Sequence, residues 1–142
     1  MPGYLFDTDA ISELFKRRPS DRYVQWLGRI DRDEQFTSAV VVGELFAGAL
    51  RSRAPSRHLR NIRERVLPLL TVLPYDVLAA EAYGRVRARL EDAGRPLADA
   101  DLQIAATALA HGLTVVTGNV KHFERVPGLT LERILADSRT RQ

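Results

Sequence analysis

Several residue types are absent or scarce in this 142-residue sequence, which contains no cysteine, one methionine and one tryptophan. The absence of cysteine excludes disulfides, thiolate zinc sites and cysteine nucleophiles, and it is compatible with a reducing compartment. The three histidines show no metal-ligand spacing, which disfavours a histidine-based zinc hydrolase. No apolar run reaches the roughly 18 to 20 residues that cross a bilayer, and no secretory leader is recognisable, so we expect a cytoplasmic protein.

The basic residues are almost all arginine. Of the 21 basic residues only Lys16 and Lys121 are lysines, and the formal net charge is +3. The planar guanidinium suits bidentate contacts to phosphate, so this bias fits a nucleic-acid partner, although genomic base composition explains it equally well. The densest basic stretch runs from 51 to 65, and within it we expect Arg51 to contact nucleic-acid phosphates.

Short apolar runs alternate with longer helical patterns along the chain. This alternation predicts an α/β fold with a mostly parallel sheet, built as one domain over residues 1–136 and followed by a flexible tail at 137–142. Strands are expected at 3–6, 35–37, 69–73, 114–117 and 129–131. Helix caps are expected from Ser38, from Asp76, from Thr8 or Asp9, and from Asp99.

Three widely separated acids, Asp7, Glu44 and Asp101, fall where a predicted strand ends or a predicted helix begins. Folding can bring them together, because ligands of parallel sheets bind beyond the carboxyl ends of the strands. Neighbouring carboxylates repel by about 4 kcal/mol per pair at an intermediate dielectric, so a cation is needed to offset their convergence. Carboxylate oxygens favour Mg²⁺ or Mn²⁺, and such an ion can support the hydrolysis of a phosphodiester.

Each of these acids also has a structural interpretation. Asp7 can cap the helix that follows it, and Glu44 can be an ordinary exposed glutamate opposite the apolar stripe of its helix. Asp99 and Asp101 point about 200° apart on a helix, so we assign Asp101 as the ligand and Asp99 as the cap. At the end of the strand at 114–117, Thr117 and Asn119 can support a bound water or phosphate, or simply form a turn.

Four motifs taken together resemble the PIN-domain ribonucleases, specifically the VapC-type toxins of bacterial toxin–antitoxin pairs. The resemblance covers about residues 4 to 131 and rests on the order and separation of the motifs. They are Leu5-Phe6-Asp7-Thr8-Asp9, Val42-Gly43-Glu44-Leu45, Asp101-Leu102-Gln103-Ile104-Ala105-Ala106, and Thr114-Val115-Val116-Thr117-Gly118-Asn119 followed by Phe123.

The resemblance implies a PIN-like three-layer fold with a central, mostly parallel sheet of four to five strands flanked by helices. It also implies a homodimer, Mg²⁺- or Mn²⁺-dependent endonucleolytic cleavage of RNA, and a cognate antitoxin that wraps the protein and blocks its acidic pocket. By position, Asp7, Glu44 and Asp101 match the family's catalytic, metal-binding triad. Supporting roles are implied for Thr8, Asp9, Asp99, Thr117 and Asn119.

Three positions depart from the family pattern. Asn119 stands near where many relatives have a fourth acid, and His122 stands where relatives often have an acid before Phe123. The loss of charge at these positions argues against a tightly bound second ion. Asp9 stands where asparagine is common. Two other functions also remain open. The Asp7-Thr8-Asp9 motif resembles HAD-type phosphohydrolases with Asp7 as nucleophile, and a non-catalytic PIN-like binding module would use the acidic pocket only for a protein partner.

Overall fold

A computed structural model describes residues 3–140, so the parts of the predicted domain and tail at 1–2 and 141–142 lie outside it. Its centre is a five-stranded sheet in which every pair of neighbouring strands is parallel. The strand order is β3-β2-β1-β4-β5, so the first strand of the chain lies in the middle. The strands are β1 (Tyr4–Phe6), β2 (Gln35–Ser38), β3 (Thr71–Leu73), β4 (Thr114–Val116) and β5 (Leu131–Glu132). The predicted α/β class is confirmed.

Helices connect the strands, as parallel pairing requires. They are α1 (Thr8–Glu13), α2 (Asp21–Leu27), α3 (Ala39–Arg51), α4 (Pro55–Asn61), α5 (Val77–Asp92), α6 (Asp99–His111), α7 (Val120–Phe123) and α8 (Ile134–Thr140). A 3₁₀ turn at Arg32–Glu34 precedes β2, and a π turn at Ile62–Val66 extends α4. Within residues 3–140, no helix combines the length and the apolar character needed to cross a membrane.

The hydrophobic core is built around the two central strands. Leu5, Val115 and Val116 are fully buried, as expected for parallel strands that have neighbours on both edges. Tyr23 of α2 is also fully buried, and its hydroxyl donates to the carbonyl of Ala10 at 2.8 Å. This bond satisfies the one polar atom of a large apolar side chain, so α2 is fixed against α1 without a desolvation penalty.

Two of the predicted caps are confirmed and two are wrong. Ser38 accepts from the Val41 amide at 3.1 Å, and Asp76 accepts from the Ala79 amide at 3.0 Å. The cap of α1 is Asp7, because the strand ends one residue before it and its carboxylate reaches the third helical amide. Asp99 makes no cap hydrogen bond.

The end of the chain differs from the expected flexible tail. Residues up to Thr140 belong to α8, whose Leu135 is fully buried and whose Ser138 is nearly so. The polar composition of residues 137–140 gave no sign of this helix, because its anchoring contacts are made to residues near the start of the chain.

Candidate metal centre

Asp7 lies at the carboxyl ends of the two central strands, in the position where open parallel sheets bind ligands. Its amide donates to the Val116 carbonyl at 3.2 Å, which continues the pairing of β1 with β4. One carboxylate oxygen accepts from the Ala10 amide at 2.8 Å, and the other accepts from the Thr117 hydroxyl at 2.5 Å. The residue is only 4% exposed, so a buried carboxylate is held in a single orientation.

The surroundings of this carboxylate favour its protonated form when no cation is bound. Burial raises the pKa of Asp7 from 3.8 to about 7, and the negative charges of Asp9 and Asp101 act in the same direction. The hydrogen bonds from Thr117 and the Ala10 amide oppose this rise without cancelling it. Asp101 therefore lies close enough to Asp7 to influence its ionisation. A divalent cation beside Asp7 would reverse the effect by stabilising the charged form.

Glu44 of α3 is connected to the surroundings of Asp7 by a hydrogen bond from α1. The Thr8 hydroxyl donates to Glu44 Oε1 at 2.5 Å, so the residue next to Asp7 in sequence orients the glutamate of α3. Open space surrounds the positions where Gly43 and Gly48 would carry a Cβ, which leaves a shallow floor beside Glu44. A cavity of about 290 Å³ adjoins this floor. Its lining includes Thr8, Ser12, Phe15, Lys16, Glu44, Gly48, His58 and Asn61.

Asp101 stands in the first turn of α6, with its side chain 30% exposed. Its Oδ2 atom lies 3.6 Å from Nδ1 of His122, which belongs to α7. The sequence gave no reason to pair these two residues, because they are 21 positions apart on different elements. His122 therefore stands beside one of the predicted ligands.

Thr117 connects Asp7 to the loop that follows β4. Its hydroxyl donates to Asp7 and accepts from the Asn119 amide at 2.9 Å, so both of its hydrogen-bonding functions are used. Asn119 itself precedes α7, is exposed, and makes no cap hydrogen bond with its side chain. The Asn119 backbone thus supports the orientation of the Asp7 carboxylate, whereas its side chain faces solvent.

The other predicted site residues have different surroundings. Asp9 is held by Arg139, at 2.7 Å and 3.1 Å. Asp99 accepts from the Tyr83 hydroxyl at 2.9 Å on the outer surface. Arg51 is exposed at the end of α3, and its contact with nucleic acid stays a prediction. No motif or spacing in the sequence pointed to Arg139.

The oxygen donors at Asp7, Glu44 and Asp101 fit a hard divalent cation, because Asp7 is a buried carboxylate and Glu44 and Asp101 are half-buried ones. Their oxygen atoms are not gathered as tightly as those of Asp31, Asp33 and Glu34, which in the described residues all lie within 4.8 Å of one another. That tighter group is on a surface turn before β2, at the amino ends of the strands. It is therefore remote from the edge at which Asp7 lies.

Comparison with known proteins identifies the family to which this chain belongs. The PIN-domain family model matches residues 4–129. The "Ribonuclease VapC2" of Haemophilus influenzae is 34% identical over 134 residues, covering 93% of this chain and 98% of that protein. The "tRNA(fMet)-specific endonuclease VapC" of Salmonella typhimurium is 34% identical over 132 residues, with the same two coverages.

Solved structures agree with the sequence comparisons. The crystal structure of DNA-bound VapBC from Salmonella typhimurium superposes with a TM-score of 0.82 at 33% identity, covering 93% of this chain and 98% of that one. The PIN-like architecture expected from the four motifs is therefore confirmed, and so is the resemblance from which it was inferred. This chain belongs to the PIN-domain family and, within it, to the VapC-type toxins.

Proposed function

We propose that this chain is the ribonuclease toxin of a toxin–antitoxin pair, and that it hydrolyses RNA phosphodiesters with Mg²⁺ or Mn²⁺ held by Asp7, Glu44 and Asp101. The observation that carries the proposal is the buried carboxylate of Asp7, fixed at the carboxyl ends of the central strands of a VapC-type chain. Because the chain belongs to the PIN family, we do not retain the HAD-like alternative, in which Asp7 would be a covalent nucleophile.

A divalent cation in such a site lowers the pKa of bound water and neutralises charge that develops on the attacked phosphate. The protein's own contribution is to fix the ligands. Thr117 and the Ala10 amide leave Asp7 one orientation, and Thr8 does the same for Glu44. Fixed ligands lose little freedom when they bind, so the site is preorganised for the ion.

The rest of the acidic region has proposed supporting roles. Thr8 and Thr117 orient the ligands, and the Asn119 backbone orients Thr117. The exposed guanidinium of Arg51 would hold the RNA backbone, since Arg contacts phosphate without reading sequence. The cavity beside Glu44 gives the RNA an entrance from the side of α1 and α3.

The proposed partners follow from the VapC-type assignment. A cognate antitoxin would cover the acidic region and block it, and the toxin would form a homodimer. Because the proposed substrate is RNA, we place its action in the cytoplasm. The binding-module alternative predicts the same antitoxin contact but no cleavage, so a cleavage assay separates the two.

The test uses Asp7→Asn and Asp101→Asn, with Asp92→Asn at the exposed end of α5 as the matched control. Both site variants should lose at least about 100-fold in cleavage of a single-stranded RNA with Mg²⁺ or Mn²⁺, because each removes a charged ligand. Circular dichroism should show the fold retained. Cleavage at the normal rate by either variant at saturating metal would contradict the assignment.

A further inference from the structure

Arg139 of α8 reaches across the molecule to two acids of α1. Its two terminal nitrogens donate to the two oxygens of Asp9 at 2.7 Å and 3.1 Å, and one of them also donates to Glu13 at 2.8 Å. Bidentate pairing of this kind fixes the position of a carboxylate as well as neutralising it. The guanidinium therefore sets both the direction and the effective charge of Asp9.

The loop after β4 is shaped to admit this pair. A Cβ atom on Gly118 would overlap both the guanidinium of Arg139 and the carboxylate of Asp9. Gly118 does not have a positive φ, so glycine is needed here for the space that a side chain would occupy and not for its backbone conformation. Segments around residues 9, 118 and 139 thus meet at one ion pair.

Helix α8 is firmly placed for this contact. It begins after residue 129, where the match to the PIN model ends, and it is anchored by the buried Leu135. Glu13, the second carboxylate that Arg139 contacts, is fixed as well, because it also accepts from Lys16 at 2.8 Å and from the Ser20 amide at 2.9 Å. Arg139, the cation that joins Asp9 to Glu13, thus comes from a segment that lies beyond the family match.

We propose that Arg139 is a positioning residue for the metal centre: it holds the Asp9 carboxylate away from the cation and offsets part of its charge. This rests on the proposed function, because it assumes that the cation binds at Asp7. Asp9 lies two residues after Asp7, and its charge acts on Asp7. With Arg139 in place, the acids left to bind the ion are Asp7, Glu44 and Asp101. Without Arg139, a fourth carboxylate would join them.

Mn²⁺ binding measured by calorimetry tests the proposal on the full-length chain. Arg139→Gln frees one negative charge beside the site and should tighten Mn²⁺ binding by about tenfold at low salt, with the gain shrinking as salt rises. Asp9→Asn removes one carboxylate and leaves the positive charge of Arg139 only partly neutralised, so Mn²⁺ binding should weaken. The double variant restores the net charge and should bind Mn²⁺ like the unmodified chain.

The matched control is Arg133→Gln, just before α8, because Arg133 pairs with the distant Glu124 at 3.4 Å. It should leave the Mn²⁺ affinity unchanged. Gly118→Ala is an independent way to displace the pair, since its methyl group meets only the ends of two flexible side chains. It should tighten Mn²⁺ binding in the same direction as Arg139→Gln but by less, because both charges remain, and it keeps the test decisive if Arg139→Gln does not fold.

The outcomes separate this proposal from the one on which it rests. If Arg139→Gln and Gly118→Ala lower the melting temperature but leave the Mn²⁺ dissociation constant unchanged, Arg139 is only a structural residue and the proposal is overturned. If the unmodified chain binds no Mn²⁺, or if Asp7→Asn binds it equally well, the proposed metal centre fails and this inference fails with it.

Discussion

Replacing the proposed metal ligand Asp7 with asparagine should stabilise the metal-free protein. Asp7 is buried, and its pKa is raised from 3.8 to about 7. The folded state therefore binds this proton more tightly than the unfolded chain, and stability falls as the pH rises between these two values. Above pH 7 the ionised carboxylate costs the folded state about 4 kcal/mol.

Asparagine removes this cost but weakens one hydrogen bond, because the Thr117 hydroxyl loses a charged acceptor. The weaker bond is worth about 1 kcal/mol, so the net gain at pH 8 is about 3 kcal/mol. For a chain of this size that gain corresponds to a rise in melting temperature of about 10 °C. Near pH 4.5 the charge-related cost of Asp7 drops to about 1 kcal/mol. The difference in melting temperature between Asp7→Asn and the unmodified chain should therefore nearly vanish.

Thermal unfolding in EDTA at pH 8 and pH 4.5 measures this effect, with Asp92→Asn as the exposed control. Adding Mn²⁺ should reverse the order at pH 8, because only the carboxylate gains from the cation. The reasoning is refuted if Asp7→Asn is no more stable than the unmodified chain at pH 8 without metal. A gain that is the same at both pH values would also refute it.

Three further predictions concern single contacts. Burial alone would raise the pKa of Glu13, but hydrogen bonds from Arg139, Lys16 and the Ser20 amide lower it to about 2. Its contribution to stability is thus present above pH 4.5 and lost toward pH 2, so Glu13→Gln should cost about 3 kcal/mol at pH 7 and flatten the acid unfolding curve. Tyr23→Phe should lower the free energy of unfolding by about 1 to 2 kcal/mol in urea titrations, because the Ala10 carbonyl loses its donor. Ser38→Ala should cost about 1 kcal/mol in the same titration through loss of the α3 cap, and an unchanged midpoint for either variant would contradict these contacts.

Much of the fold could be predicted from the sequence because its signals are local. Short apolar runs marked the strands, and Ser38 and Asp76 each stand one residue before a helix. The cap of α1 was harder to predict, because Asp7, Thr8 and Asp9 are all good capping residues. Only the end of β1 at Phe6 decides among them, and a strand boundary is not fixed by composition.

The parts of the candidate site that the sequence did not reveal depend on distant partners. Asp9 and Arg139 are 130 positions apart, and no periodicity or spacing connects them. Asp99 looked like a cap because it begins an apolar helix, but the Tyr83 hydroxyl offers its carboxylate a different partner. In each case a tertiary contact replaced the local one, which is the usual reason that local rules fail.

The central position of β1 has a consequence for the order in which the protein is made. This strand pairs with β2 on one side and with β4 on the other, and Asp7 is linked to Thr117, 110 positions later. A ribosome must therefore synthesise most of the polypeptide before the first strand has both neighbours, since such long-range pairing comes late in folding. A nascent or prematurely terminated chain that ends before β4 therefore lacks Thr117 and the hydrogen bond with which it orients Asp7.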